Sequence, residues 1–316
     1  MTSLDNRRSP TLLPSLLLAA GALTISFAAI LAKLAVAHQV ADSTAGAWRF
    51  LLASAFFFLS LIVRRRSVRL PRQATTFALL AGAFFAIDIY VWHKSIIIVG
   101  AGMATILANT QVFWTAGIGR LVFAEKLPSL FLIAAPLGFL GVVLLTGVGS
   151  EIAFTRRYGR GLALGLGTGV AYACYITTLK RSAKRDDPRS SAPVDVRMAW
   201  LTLTSGLLIF TGAAVERVPL APQSLTGAAI VLLLALGPQI LGWLLIDRAL
   251  SRLPATRAAL LLLLQPTFAT IWGALIFKEV LGATQILGAG LTLIAIFMGS
   301  LGRGEASVED PRAAKR

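Results

Sequence analysis

The sequence predicts an all-α integral membrane protein whose ten transmembrane helices form two inverted five-helix repeats. Three observations point there: an apolar composition, apolar runs long enough to span a bilayer, and a self-similarity between the two halves. Of 316 residues, 56% are hydrophobic and only 14% are charged, with a mean hydropathy of +0.77. Soluble domains carry about a quarter charged residues. The apolar runs leave little chain for a soluble domain.

The runs fall near 12–32, 43–63, 74–96, 102–122, 128–148, 160–180, 196–215, 225–247, 257–277 and 281–301. Each approaches the roughly 20 residues that cross a bilayer as helix. The first follows Arg7 and Arg8 like a signal peptide, but it is too long and lacks a small-residue cleavage site, so it reads as a retained helix. "RRRSVRLPR" (64–72) separates the second and third runs and reads as an anchor beside anionic lipid. It has no aromatic-interleaved basic face of the kind that binds nucleic acid. "EKLP" (125–128) separates the fourth and fifth, and "KRSAKRDDPRSSAP" (180–193) the sixth and seventh. With the N-terminus cytoplasmic, the tails and alternate connections on that side hold about 22 of the 30 Lys and Arg residues. By the positive-inside rule both termini are then cytoplasmic.

The repeat emerges when the chain is shifted by 154 residues: "LANTQVFWTAGIGRLVFAEKL" (107–127) then lies over "LLLLQPTFATIWGALIFKEVL" (261–281). Gln111 falls on Gln265, Gly119 on Gly273, Phe123 on Phe277 and Glu125 on Glu279, and a shift of about 147 places Lys33 on Lys180. Five spans per unit is an odd number, so the second unit is inverted. Inverted repeats let a carrier open to either side by exchanging the conformations of its halves. The expected units are residues 10–148 and 158–303, with a polar tail over 304–316.

"AIDIYVWHKSIIIVGAGMATILAN" (86–109), the helix end "FAEKL" (123–127) and "LLLLQPTFATIWGALIFKEVLGATQILGAGLTLIAI" (261–296) resemble the EamA family of the drug/metabolite transporter superfamily. The resemblance covers nearly the whole chain. It implies a ten-helix permease with both termini cytoplasmic, and many such permeases export amino acids or other small metabolites. It further implies a central cavity lined by helices 1, 3, 4, 6, 8 and 9. Family members usually have Pro in helix 4 where this chain has Val112, whereas Pro266 keeps it in helix 9. The first half is therefore expected to lack a kink that the second retains.

Asp88 lies near mid-bilayer, where an ionised Asp costs roughly 2.5 to 3.5 kcal/mol. It either hydrogen-bonds to a neighbouring helix or faces a wet cavity, where it can hold a proton or a cationic group. Trp92 and Ser95 follow at i+4 and i+7 on the same face. His93 reads as interfacial. Gln111 and Trp114 share a face of helix 4 near Asn109, and Gln265, Phe268 and Trp272 share one on helix 9. Gln239 and Trp243 do so on helix 8, and Tyr172 and Tyr175 stand near Thr168 on helix 6. Singly, each aromatic reads as interfacial belt or packing. Together, the candidate substrate-binding residues are Asp88, Trp92, Asn109, Gln111, Trp114, Tyr172, Tyr175, Gln239, Trp243, Gln265 and Trp272. Glu125 and Glu279 read as acids that cap the following helix or tie the connection. Lys33 and Lys180 read as snorkelling lysines. Gly161, Gly165 and Gly169 read as a close-packing face.

Enzyme readings find little support. The two histidines, His38 and His93, cannot form H-E-x-x-H, and no P-loop or G-x-S-x-G elbow is present. Asp186 and Asp187 lack the further spaced acids of a magnesium site. Cys174, the only cysteine, excludes an internal disulfide and a Cys-based metal site. The expectation is a secondary carrier of the bacterial plasma (inner) membrane, with lipid as surroundings, no cofactor, a small-molecule substrate and a coupling proton at Asp88. A passive channel remains as the alternative, and a membrane enzyme as a more distant one.

Overall fold

A computed structural model describes residues 12–99, 101–145, 155–183, 193–277 and 282–301. Among these residues the chain is helical throughout its regular structure: α1 (Leu12–Ala37), α2 (Asp42–Val63), α3 (Arg72–Val99), α4 (Ala101–Asn109), α5 (Gln111–Phe123), α6 (Ser129–Leu145), α7 (Arg156–Ala183), α8 (Val194–Val215), α9 (Leu225–Leu234), α10 (Trp243–Leu250), α11 (Ala255–Leu262), α12 (Leu264–Phe277) and α13 (Ala283–Leu301). A π-helical turn, Ala235–Gly242, joins α9 to α10 around Pro238. Among the described residues, six helical segments are long and apolar enough to cross a membrane, and the others are shorter or interrupted. Helix is the form expected in hydrocarbon, because it satisfies every backbone N–H and C=O within one segment.

Helix exits mark the repeat locally. α2 ends through Arg65 and α8 through Arg217, both in the left-handed region at φ 52° and 56°. The same pair of bonds closes each end. Arg65 N–H donates to Ile62 O and Arg66 N–H to Leu61 O, as Arg217 N–H does to Ala214 O and Val218 N–H to Ala213 O.

Packing between the halves is reciprocal. α2 lies against α8 and α6 against α13, so equivalent helices meet each other. α3 runs along α7, and its counterpart contact is α1 along α9, the π turn and α10; α4 and α5 meet α7 as α11 and α12 meet α1. Such exchange of partners is what a two-fold relation between repeats produces. Gly165 and Gly169 on α7 permit one of these approaches, since a Cβ would come within 2.8 Å of Leu107 Cβ at Gly165 and 2.9 Å of Leu107 O at Gly169.

The expected asymmetry of kinks does not appear. Thr110 interrupts the fourth span although no proline is present, and Leu263 interrupts the ninth one residue earlier in register. At Thr110 the amide bonds Leu107 O at 3.2 Å and the hydroxyl bonds the same oxygen at 2.6 Å. At Leu263 the amide bonds Leu260 O at 3.0 Å. Tightened three-residue turns thus replace the regular ladder in both halves, and a threonine hydroxyl attends the one without proline.

Two charged residues differ from expectation. Lys180 does not snorkel: it is buried and pairs with Glu125. Glu125 does accept from a helix N-terminus, but the helix is α11 rather than the next one in sequence, with Ala255 N–H donating to its two oxygens at 3.0 and 2.8 Å. Lys33 is exposed. Glu279, Asp186, Asp187 and the tail 304–316 lie outside the described residues.

Candidate functional site

A cavity of about 250 Å³ lies between the halves, lined by α1, α2, α3, the α4–α5 and α11–α12 spans, α7, Leu234 of α9 and Trp243 of α10. It runs from Asp42 and His93, near the helix ends around the 38–41 connection, down to Phe85, Tyr172, Gln111 and Leu262. Helix 3 presents Phe85, Asp88, Ile89 and Trp92 to it at i, i+3, i+4 and i+7, one continuous helical stripe.

An aromatic cluster floors the cavity. Phe85 stacks on Tyr175 with ring centroids 4.1 Å apart and planes at 10°, and Trp243 meets both rings edge-on at 5.0 and 4.8 Å. Phe50 closes the cluster against Phe85 at 4.9 Å. Its rings separate the cavity from the far end of the bundle.

The helix interruptions place the repeat-related amides. Gln111 opens α5 and Gln265 lies one residue into α12. Gln111 Nε2 donates to Ala259 O at 3.4 Å and its Oε1 accepts from Thr115 at 3.0 Å, while Gln265 Nε2 donates to the Tyr172 hydroxyl at 3.1 Å. Each glutamine therefore bonds an element of the other half or its own wall and still lines the cavity.

Asp88 is 7% exposed, and no hydrogen bond or ion pair within 4.0 Å joins its carboxylate to any described residue. Arg49 on α2 lines the same cavity. Its Nε donates to Gln239 Oε1 at 3.2 Å and its guanidinium carbon sits 4.7 Å from the Phe50 ring centroid. At the mouth, His93 Nδ1 lies 3.3 Å from Asp42 Oδ2. Among the described residues no three His, Cys, Asp or Glu side chains gather as a metal site.

Of the sequence candidates, Asp88, Trp92, Asn109, Gln111, Tyr172, Trp243 and Gln265 line the cavity. Four do not. Trp114 is 46% exposed on the outer surface. Tyr175 is fully buried within the aromatic floor and does not reach the cavity. Gln239 is buried behind Arg49. Trp272 stacks on Phe27 at 4.7 Å and donates to Ser26 Oγ at 2.8 Å. Ser95 likewise turns away, donating to Gly161 O at 3.0 Å. His93, read as interfacial, lines the cavity near its mouth. The sequence reading missed helix 2 entirely, although a cation inside "AGAWRFLLA" (45–53) carries the same signal as Asp88: a charge that pure lipid would penalise.

A bundle of apolar helices around a central cavity with charged and amide groups is the architecture of a membrane transporter. The chain belongs to the EamA-like transporter family, whose model matches residues 12–147 and 159–301, one match for each half. That membership makes it a transport protein rather than an enzyme. It is 27% identical over 211 residues to the "Probable amino-acid metabolite efflux pump" of Salmonella typhimurium, covering 64% of this chain and 68% of the relative. It is 28% identical over 211 residues to the threonine/homoserine exporter RhtA of Escherichia coli K12, covering 67% and 66%. A solved crystal structure shares the fold with a TM-score of 0.77 and 17% identity, over 91% of this chain and 96% of that one.

Proposed function

We propose that the protein is an alternating-access secondary carrier that exports a small metabolite, such as an amino acid or a derivative, across the bacterial plasma membrane. Both termini lie in the cytoplasm, ten spans cross the lipid as repeats over about residues 10–148 and 158–303, and Asp88 exchanges a proton for a cationic group of the substrate. The observation that carries this reading is the Asp88 carboxylate, buried at a cavity between two repeats with no hydrogen bond or ion pair to a described residue. A buried acid in that position stays neutral with a proton or takes a cation. Binding of one excludes the other, which couples their movements as the halves rock. The named relatives, an amino-acid metabolite efflux pump and a threonine/homoserine exporter, support the substrate range.

The test is uptake of pooled labelled amino acids and metabolites into proteoliposomes, with and without an imposed pH gradient. Saturable, gradient-driven accumulation is expected, and Asp88→Asn abolishes its dependence on the gradient. Saturable flux indifferent to the gradient removes the proton role, and flux that never saturates replaces the carrier with a channel.

A further inference from the structure

We propose that Arg49 and Asp88 together form a zwitterion site: Arg49 takes the carboxylate of the substrate, Asp88 its ammonium group, and the apolar walls take an uncharged side chain. The inference rests on the carrier reading and names the substrate class for it.

Two opposite charges in one low-dielectric cavity attract strongly and, left alone, pair. These two do not. Both line the cavity, yet no N···O approach within 4.0 Å joins them. Beyond the Nε bond to Gln239, no hydrogen bond or ion pair to a described residue engages the terminal nitrogens of Arg49. Planar guanidinium donors in that state suit a carboxylate, which they bind in a two-pronged geometry.

Arg49 is held back from Asp88 by the second half of the molecule. Gln239 belongs to the π-helical turn and is 1% exposed, and its Oε1 accepts from Arg49 Nε at 3.2 Å. Phe50 supports the guanidinium face. Pro238 accounts for the widened turn, since proline cannot donate to the helical ladder. Gln239 is thus a positioning residue for the carboxylate anchor. Around the two charges stand Ile25, Phe85, Ile89, Trp92, Trp243 and Ala269, which favour an uncharged substrate side chain.

The test uses the full chain in proteoliposomes, with counterflow of a labelled neutral L-amino acid challenged by three unlabelled panels. These are neutral L-amino acids, the corresponding amines without the carboxylate, and the N-acetylated acids without the ammonium. Both truncated panels are expected to compete at least about tenfold more weakly, because a site built to bond a group rejects ligands that lack it. Arg49→Gln is expected to raise KM for amino acids about tenfold or more while competition by the amines is unchanged, and Arg49→Lys recovers part of the loss. Gln239→Leu, which frees Arg49 to pair with Asp88, is expected to raise KM for amino acids and to narrow the preference for amino acids over amines by a smaller factor than Arg49→Gln. The proposal is overturned by amines competing as well as amino acids, by Arg49→Gln leaving KM within about twofold, or by Arg49→Gln weakening both panels equally. Saturable transport of a compound that is not a zwitterion also overturns it while the carrier reading survives, whereas absence of saturable transport removes both.

Discussion

The two ends of the bundle use the same chemistry, charged pairs within and between the halves, in different surroundings. Near the cavity mouth Lys94 pairs with Glu216, with side chains 38% and 22% exposed, and His93 meets Asp42 at 16% and 45%. At the far end Lys180 pairs with Glu125 at 8% and 14%, and Arg197 with Asp247 at 5% and 0%. Water competes for the first set and hardly reaches the second. Pairs near the mouth can therefore part cheaply. At the far end, Glu125 of the first half is held by Lys180 and by the N-terminus of α11, both from the second half. In the carrier proposed above, opening to that face breaks this junction.

Removing charge at the buried end is the most drastic way to break the contrast. Asp247→Ala leaves the Arg197 guanidinium buried without its carboxylate and is expected to cost about 3 to 5 kcal/mol. Thermal unfolding in detergent measures this, and the double change with Arg197→Met should recover much of the loss. A single variant as stable as the parent would show that the pair contributes nothing. Glu125→Gln comes next, at about 1 to 2 kcal/mol for a charge lost from a helix N-terminus and a buried lysine. In a Cys174→Ala background, Ala258→Cys is 0% exposed in the parent geometry. Glu125→Gln should speed its reaction with a membrane-impermeant thiol reagent added from the far face, and unchanged labelling would mean the junction does not govern opening.

The smallest effects belong to the mouth. Lys94→Met should change stability by only about 0.2 to 1 kcal/mol. Burial pushes Glu216 up, but the hydrogen bond and charge of Lys94, with Ser43 and Tyr90, outweigh it and hold the carboxyl below its ordinary value. The folded state then gains from this acid at pH above about 4.5, its ordinary value, and loses the gain as pH falls through the lowered one. Melting temperature measured from pH 6 down to 3 should lose less in Lys94→Met than in the parent, and parallel curves would exclude the tie.

Much of this contrast was invisible in the chain. Glu125 and Lys180 were recognisable as repeat-related positions, but their pairing joins the ends of different spans. Asp88 was legible because its cost in hydrocarbon does not depend on its neighbours. Arg49 carries the same signal, but nothing in the sequence places helix 2 at the cavity. The interruption at Thr110 was hidden for another reason: proline announces a broken ladder, whereas a threonine hydroxyl that bonds Leu107 O announces nothing until the helix is built.

By itself, then, the sequence determined the membrane environment, the apolar runs, the repeat and the mid-span acid Asp88, because hydropathy and spacing act locally along the chain. Which side chains share the cavity was decided only by tertiary structure. Trp114 and Trp243 are the same residue type in similar apolar runs, yet one is 46% exposed and the other 2%. Rotation of each helix about its axis sends a given side chain to lipid, to a neighbour or to the cavity, and that rotation is set by close packing between helices far apart in sequence.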